Sequence, residues 1–254
     1  MSWAGRRRAL YVSIISVVVF AFFIWVGFRI FYTPPTCFDG KRNGVEEGID
    51  CGGECERVCS FQATPPIVLW SRFFQIAPGV YNIVALIENP NVGVEARDVP
   101  YVFKLYDANG LLVYERKGQI TIPAEHSFVV FESDIIVGER IPQNSFFEFT
   151  EVPDWQRRER EAPTLRTGEL VLSNVSTAPR LTAMLENTMF ADVENIAVVA
   201  VVFDENGNAL ATSRTIVDRL GGGERTALIF TWQTPFPVPA AKTVLYPEVR
   251  ENER

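Results

Sequence analysis

The chain has 254 residues, room for one or two ordinary domains and an anchor. At 47% hydrophobic and 22% charged it is too polar for a multi-pass protein and too apolar for a disordered one. The net charge of −7 is unevenly placed: the first 31 residues hold Arg6, Arg7, Arg8 and Arg29 and no acid, which leaves twenty basic against thirty-one acidic residues downstream. An acidic body argues against nucleic acid as a partner, because phosphate binding needs a basic surface.

From Ala9 to Phe28 the sequence reads ALYVSIISVVVFAFFIWVGF, twenty residues without a charge. That is the length a helix needs to cross a bilayer core of roughly 30 Å. A helix apolar on every face is either buried in a core or membrane-spanning, and the basic flank of Arg6, Arg7 and Arg8 favours the span. A cleaved signal peptide has a shorter apolar region ending in small residues, whereas this one ends WVGFRIFYTPP with no A-x-A site. The run reads as an uncleaved signal anchor. Arg6, Arg7 and Arg8 stay cytoplasmic, and Trp25, Phe31 and Tyr32 suit the headgroup belt. The expected segments are a basic tail (1–8), an anchor (9–31), a cysteine-rich stalk (32–64), a first sandwich (65–152), a linker (153–164) and a second sandwich (165–254). The expected location is the cell membrane, with the bulk of the chain outside the cytosol.

All four cysteines lie in CFDGKRNGVEEGIDCGGECERVC, spaced C-x13-C-x3-C-x3-C. Outside the cytosol thiols oxidise, so Cys37, Cys51, Cys55 and Cys59 are expected to form two disulfides, with all three pairings open. The rival is a four-cysteine zinc site, but zinc ligands come as paired C-x2-4-C knuckles. Asp39, Asn43, Glu46 and Asp50 put oxygen side chains on a glycine-rich loop, as a hard cation such as calcium requires, although the spacing is not that of an EF-hand. The competing reading is that Asp-Gly and Asn-Gly pairs make tight turns. Over Cys37–Cys55 the segment resembles a cysteine module of bacterial and archaeal surface proteins, C-x-D-G-x-x-N-G-x-E-x-G-x-D-C-G-G-x-C. The resemblance implies a surface-exposed, stalk-proximal module and no activity.

Downstream the chain repeats itself. The first copy runs YNIVALIENPNVGVEARDVPYVFKLYDANGLLVYERKGQITIPAEHSFVVF, the second PRLTAMLENTMFADVENIAVVAVVFDENGNALATSRTIVDRLGGGERTALIF. Each has a strand ending at Glu-Asn (Asn89, Asn187), a strand ending in an aromatic and Asp (Asp107, Asp204), an Asn-Gly turn, and a last apolar strand ending at Phe131 or Phe230. The alternation and turn chemistry predict β-strands, and units of about 90 residues with frequent turns predict β-sandwiches. The fold class expected is therefore mainly β: one transmembrane helix, a small disulfide-rich module and two tandem immunoglobulin-like sandwiches. At Phe103-Lys104-Leu105-Tyr106-Asp107 the first copy resembles the FxLYD-type domain, similar to the water-stress and late-embryogenesis-abundant sandwiches. The resemblance implies a folding role for that motif, with Tyr106 packing and Asp107 opening a turn. The second copy keeps only the aromatic-Asp end, Phe203-Asp204, and its membership rests on the repeat.

Little in the chain suggests catalysis. His126 is the single histidine, and its neighbours Glu125 and Ser127 point to the opposite face of a strand. Gly221-Gly222-Gly223 reads as a hairpin loop rather than a phosphate cradle. No carboxylate pair is singled out for glycoside hydrolysis. RREREAP reads as a solvated linker, and the tail TWQTPFPVPAAKTVLYPEV as an edge strand with a closing loop or a docking peptide. Asn174-Val175-Ser176 is a glycosylation sequon, relevant where the host glycosylates exported proteins. The expected function is a non-enzymatic binding or structural protein of the envelope that meets another envelope or surface protein. Two alternatives stand beside it: an envelope polysaccharide hydrolase, which needs a cleft with two close carboxylates, and a lipid or small-ligand carrier, which needs an apolar cavity between sheets.

Overall fold

The computed structural model describes residues 3–32, 34–124, 127–158 and 165–250. The chain is mainly β, with 51% strand and 12% helix. It forms two compact units, one up to Cys55 and one from Glu56 onward.

Among the described residues of the first unit one helix, α1, spans Trp3–Phe31. The 27 residues Gly5–Phe31 are apolar enough and long enough to cross a membrane, and none of the span is buried within the protein. At 1.5 Å per residue this is about 40 Å, more than a hydrocarbon core. Tyr32 adds a last turn through its N–H to the Phe28 carbonyl, at 2.8 Å. Pro34 and Pro35 follow and cannot continue the ladder.

Among the described residues the second unit holds thirteen strands: β1 (Ile67–Ala77), β2 (Val80–Glu88), β3 (Val94–Tyr106), β4 (Leu112–Ile122), β5 (Ser127–Ile136), β6 (Asn144–Phe149), β7 (Trp155–Arg157), β8 (Leu165–Ser173), β9 (Arg180–Asn187), β10 (Val193–Phe203), β11 (Ala209–Leu220), β12 (Arg225–Thr231) and β13 (Lys242–Val249). They make four antiparallel sheets. Sheet I is β4-β3-β6 with β7 also on β3, sheet II is β1-β2-β5, sheet III is β11-β10-β13 and sheet IV is β12-β9-β8. Sheets I and II enclose one core, centred on Ile83, Ile87, Phe103, Leu105 and Ile122. Sheets III and IV enclose another around Leu181, Leu185, Ile196, Leu228 and Phe230. These are the two expected sandwiches, and the copies share one topology: β1 to β6 correspond to β8 to β13.

The hydrogen bonds explain why the repeat is legible. Asn89 and Asn187 are both fully buried. Asn89 donates to the carbonyls of Val94 (2.9 Å) and Pro123 (2.8 Å) and accepts from Asn91. Asn187 donates to Ala191, Leu220 and Gly221 and accepts from the Met189 N–H. Asp107 accepts from the N–H groups of Asn109 and Leu111, and Asp204 from those of Asn206 and Asn208. Each Asp thus closes the turn that the sequence assigned to it.

A third core joins the sandwiches. Val84, Val129 and Phe131 of sheet II pack with Val199, Val201, Phe203 and Ala209 of sheets III's β10–β11 region, with Trp70, Phe74, Leu86, Val244 and Tyr246 around them. The Trp70 and Phe203 rings meet edge to face at 6.3 Å. The body is therefore four stacked sheets rather than two separate beads, and sheets II and III are covered on both faces. This arrangement also corrects the repeat alignment by one residue. Phe131 pairs with Val84 and faces the third core, whereas Phe230 lies in the second sandwich's own core. The counterpart of Phe131 is Ile229, which pairs with Thr182 on the outer face of sheet IV. A one-residue offset reverses a strand's faces, so the apolar run alone concealed it.

The ends of the first sandwich extend past the expected 65–152. Trp155, expected in the linker, is 2% exposed in the first core, because β7 pairs with the start of β3. Residues 56–64, expected in the stalk, dock on the same edge. The Val58 N–H donates to the Trp155 carbonyl at 2.8 Å, the Arg157 N–H to Glu56 at 2.8 Å, and Arg57 pairs with Asp154 at 2.7 Å. The charged stretch 159–164 lies outside the described residues.

Candidate functional site

In the cysteine module Cys37 is bonded to Cys55, closing a loop with a sequence separation of 18. Cys51 and Cys59 are disulfide-bonded as well, and no cysteine is free. Glu46 Oε1 lies 3.7 Å from Cys55 Sγ, so Cys37, Glu46 and Cys55 sit close enough to suggest a metal site. Both sulfurs are consumed in the disulfide, which leaves Glu46 as the one carboxylate ligand of that trio.

The four residues expected to offer oxygen to calcium are arranged as a hydrogen-bond cage. Asp50 accepts from the N–H groups of Asp39 and Gly40, at 2.9–3.0 Å. Asp39 accepts from the Lys41 N–H at 2.9 Å and from the Asn43 carboxamide at 2.7 Å. That carboxamide bond is the main reason its carboxyl is held below the ordinary range. Glu46 accepts from the Asn43 N–H at 3.1 Å. Asn43 Oδ1 is buried with no partner. Asp39 and Asn43 therefore come together, Asp50 holds the Asp39-Gly40 turn, and Glu46 turns toward the disulfide. Gly53, at φ 59°, fits against the Val45 carbonyl, where a Cβ would lie 1.9 Å from the oxygen.

In the body, polar groups gather where the sandwiches meet. Arg214 on β11 lies over the Phe131 ring at 5.0 Å and reaches Ser133 at 3.4 Å. Burial pushes its pKa down, and Arg250 adds to that. Glu248 on β13 has Arg250 at 3.9 Å and a side chain about one-third exposed (35%). Burial pushes its carboxyl up, against the pull of Arg250 and Arg214. Tyr101 donates to Glu132 at 2.8 Å, while Arg116 pairs with the other Glu132 oxygen at 3.2 Å. Desolvation first, and then the Glu132 charge, push the Tyr101 phenol far up. Sequence patterning missed these groups: each sits at an ordinary strand position, and only the packing of sheet on sheet brings them together.

A shallow, open depression of about 540 Å³ is lined by Pro100, Tyr101, Lys117, Gly118, Gln119 and Thr150. None of these six is an acid or a histidine. Tyr101 also covers Gly118, where a Cβ would meet its hydroxyl at 2.4 Å. Glu125 and His126 lie outside the described residues.

No family model matches the chain, and no curated protein matches it. Among solved structures it is similar to part of a β-glucuronidase from Bacteroides uniformis: 12% identical, covering 62% of this chain and 22% of that chain, with a TM-score of 0.24. A second is a candidate β-galactosidase from Bacteroides fragilis: 10% identical, covering 66% of this chain and 32% of that chain, with a TM-score of 0.21. The chain spans a third or less of these proteins, and overlaps this weak carry no argument about its chemistry.

Proposed function

We propose that this is a single-pass, outward-facing membrane protein that presents a four-sheet body to another envelope or surface protein and performs no catalysis. The observation that carries the reading is the succession of an all-round apolar helix ending at Phe31 and, beginning at Cys37, a segment whose four cysteines are all oxidised. Disulfides persist outside the cytosol, and the basic residues Arg6, Arg7 and Arg8 precede the span. The FxLYD-type and surface-module resemblances point the same way. Cores filled by Phe103, Phe230 and their neighbours favour this reading over a carrier, which needs an apolar cavity between sheets. Binding would fall to the loops and open sheet edges, where unpaired backbone groups accept added strands.

Thiol accessibility in sealed membranes tests the reading. A membrane-impermeant alkylating agent is expected to label no cysteine until an impermeant reductant is added, and then all four. Labelling only after the membrane is opened would overturn the outward orientation, and free labelling without reductant would overturn the disulfides on which the reading rests. A mature N-terminus beyond residue 31 would overturn the anchor.

A further inference from the structure

The chain contains one Asn-x-Ser/Thr sequon, Asn174-Val175-Ser176. The fold places it in the six-residue connection 174–179 between β8 and β9, and β8 is an edge strand of sheet IV. Asn174, Val175 and Ser176 are all exposed. Asn174 has φ 53°, and its carbonyl accepts from the Thr177 N–H at 3.1 Å and from the Thr177 hydroxyl at 3.4 Å. Its carboxamide makes no hydrogen bond among the described residues. The contrast with Asn89 and Asn187 is sharp: those are buried, and their carboxamides are fully engaged.

We propose that Asn174 is the acceptor of an N-linked oligosaccharide. The transferring enzyme needs the tripeptide free of the fold, the carboxamide unengaged and space for a bulky polar chain beyond it. A tip held by so few hydrogen bonds opens at small cost, and an edge strand leaves one side clear. The donor is a lipid-linked oligosaccharide pyrophosphate. Nδ2 forms a bond to the anomeric carbon, the bond from that carbon to the pyrophosphate oxygen breaks, and Nδ2 gives up one proton. No electron transfer is involved. The proposal rests on the outward orientation, since such donors act on the extracytoplasmic side.

The test uses the full chain inserted into secretory microsomes that carry this donor, analysed by gel mobility and by mapping the tryptic peptide Thr167–Arg180. A variant, Leu111→Thr, adds a second sequon at the exposed Asn109 turn as a topology control. The expected result is a slower band that glycan-releasing amidase collapses, that Asn174→Gln and Ser176→Ala abolish, and that leaves Asn174 as Asp in the mapped peptide. A glycan at Asn109 of the control but none at Asn174 overturns the proposal and leaves the orientation standing. No glycan at either place overturns both.

Discussion

Removing the Asn187 carboxamide tests whether the four sheets fold as one. Asn187→Ala deletes three donated hydrogen bonds, of 2.8, 3.1 and 3.1 Å, and the one accepted from Met189 at 3.1 Å, all at a residue with no exposure. Each such bond contributes about 1 kcal/mol net, and the stranded groups add desolvation cost, so the loss should be about 3–5 kcal/mol. For a body of this size that lowers Tm by about 6–20 °C. Asn89→Ala should act similarly in the other sandwich. The third core makes a further prediction: with sheets II and III covered on both faces, either variant should shift one shared transition in urea, monitored by tryptophan fluorescence and far-ultraviolet circular dichroism. Losses under about 1 kcal/mol would refute the structural role of the asparagines. Two separate transitions, with only one displaced by each variant, would refute the single cooperative body.

In the module, Gly53→Ala should prevent native disulfide formation, because its Cβ would overlap the Val45 carbonyl; thiol counting by mass without reductant checks this. Asp50→Ala removes the acceptor of the Asp39 and Gly40 N–H groups and should raise reactivity toward mild reductant. Because backbone amides already occupy these carboxylates, calcium is expected to leave that reactivity unchanged in the parent chain; protection by calcium would give the loop an ion-binding role. At the junction of the sandwiches, burial raises the Glu248 carboxyl, so its protonated form favours the fold. Its stability cost is absent at acid pH and grows as pH rises through the ordinary glutamate range. Glu248→Gln should therefore melt higher than the parent at neutral pH, with the gap closing on acidification; a gap that widens in acid would reverse the assignment.

The strands, the turns and the Asp staples were readable because each is a local pattern with a local cause, whereas Asn89 and Asn187 stood out only as repeated positions, their bonds to Pro123, Leu220 and Gly221 reaching 33 or 34 residues along the chain. Asp107 and Asp204 close turns two to four residues away, and Asn89 and Asn187 begin loops that they themselves bind. The pairing of sheet II with sheet III was not read, although a sign of it is present. The run IAVVAVVF, Ile196 to Phe203, is apolar without alternation, as suits a strand buried on both faces. Trp155 was misplaced because its neighbours Arg157 and Arg158 suggest a solvated linker, while its own burial depends on the start of β3, some sixty residues earlier. The disulfide pairing lay beyond reading, since spacing permits three solutions.

The sandwiches join through unlike surfaces. Sheet II of the first meets sheet III of the second, and sheet III corresponds to sheet I. Such a junction has direction: it does not close on itself as a twofold contact would, so the same rule could add layers without end. The side chains of the two outer faces differ from those at the junction. Where sheet III has Val201 and Tyr246, sheet I has Lys104 and Glu148, joined as an ion pair. At the other end, Thr182 and Met184 stand where sheet II has Val84 and Leu86. The face of sheet I that corresponds to the junction face of sheet III thus carries a charged pair in place of an apolar one, and Lys104→Val would remove half of that difference.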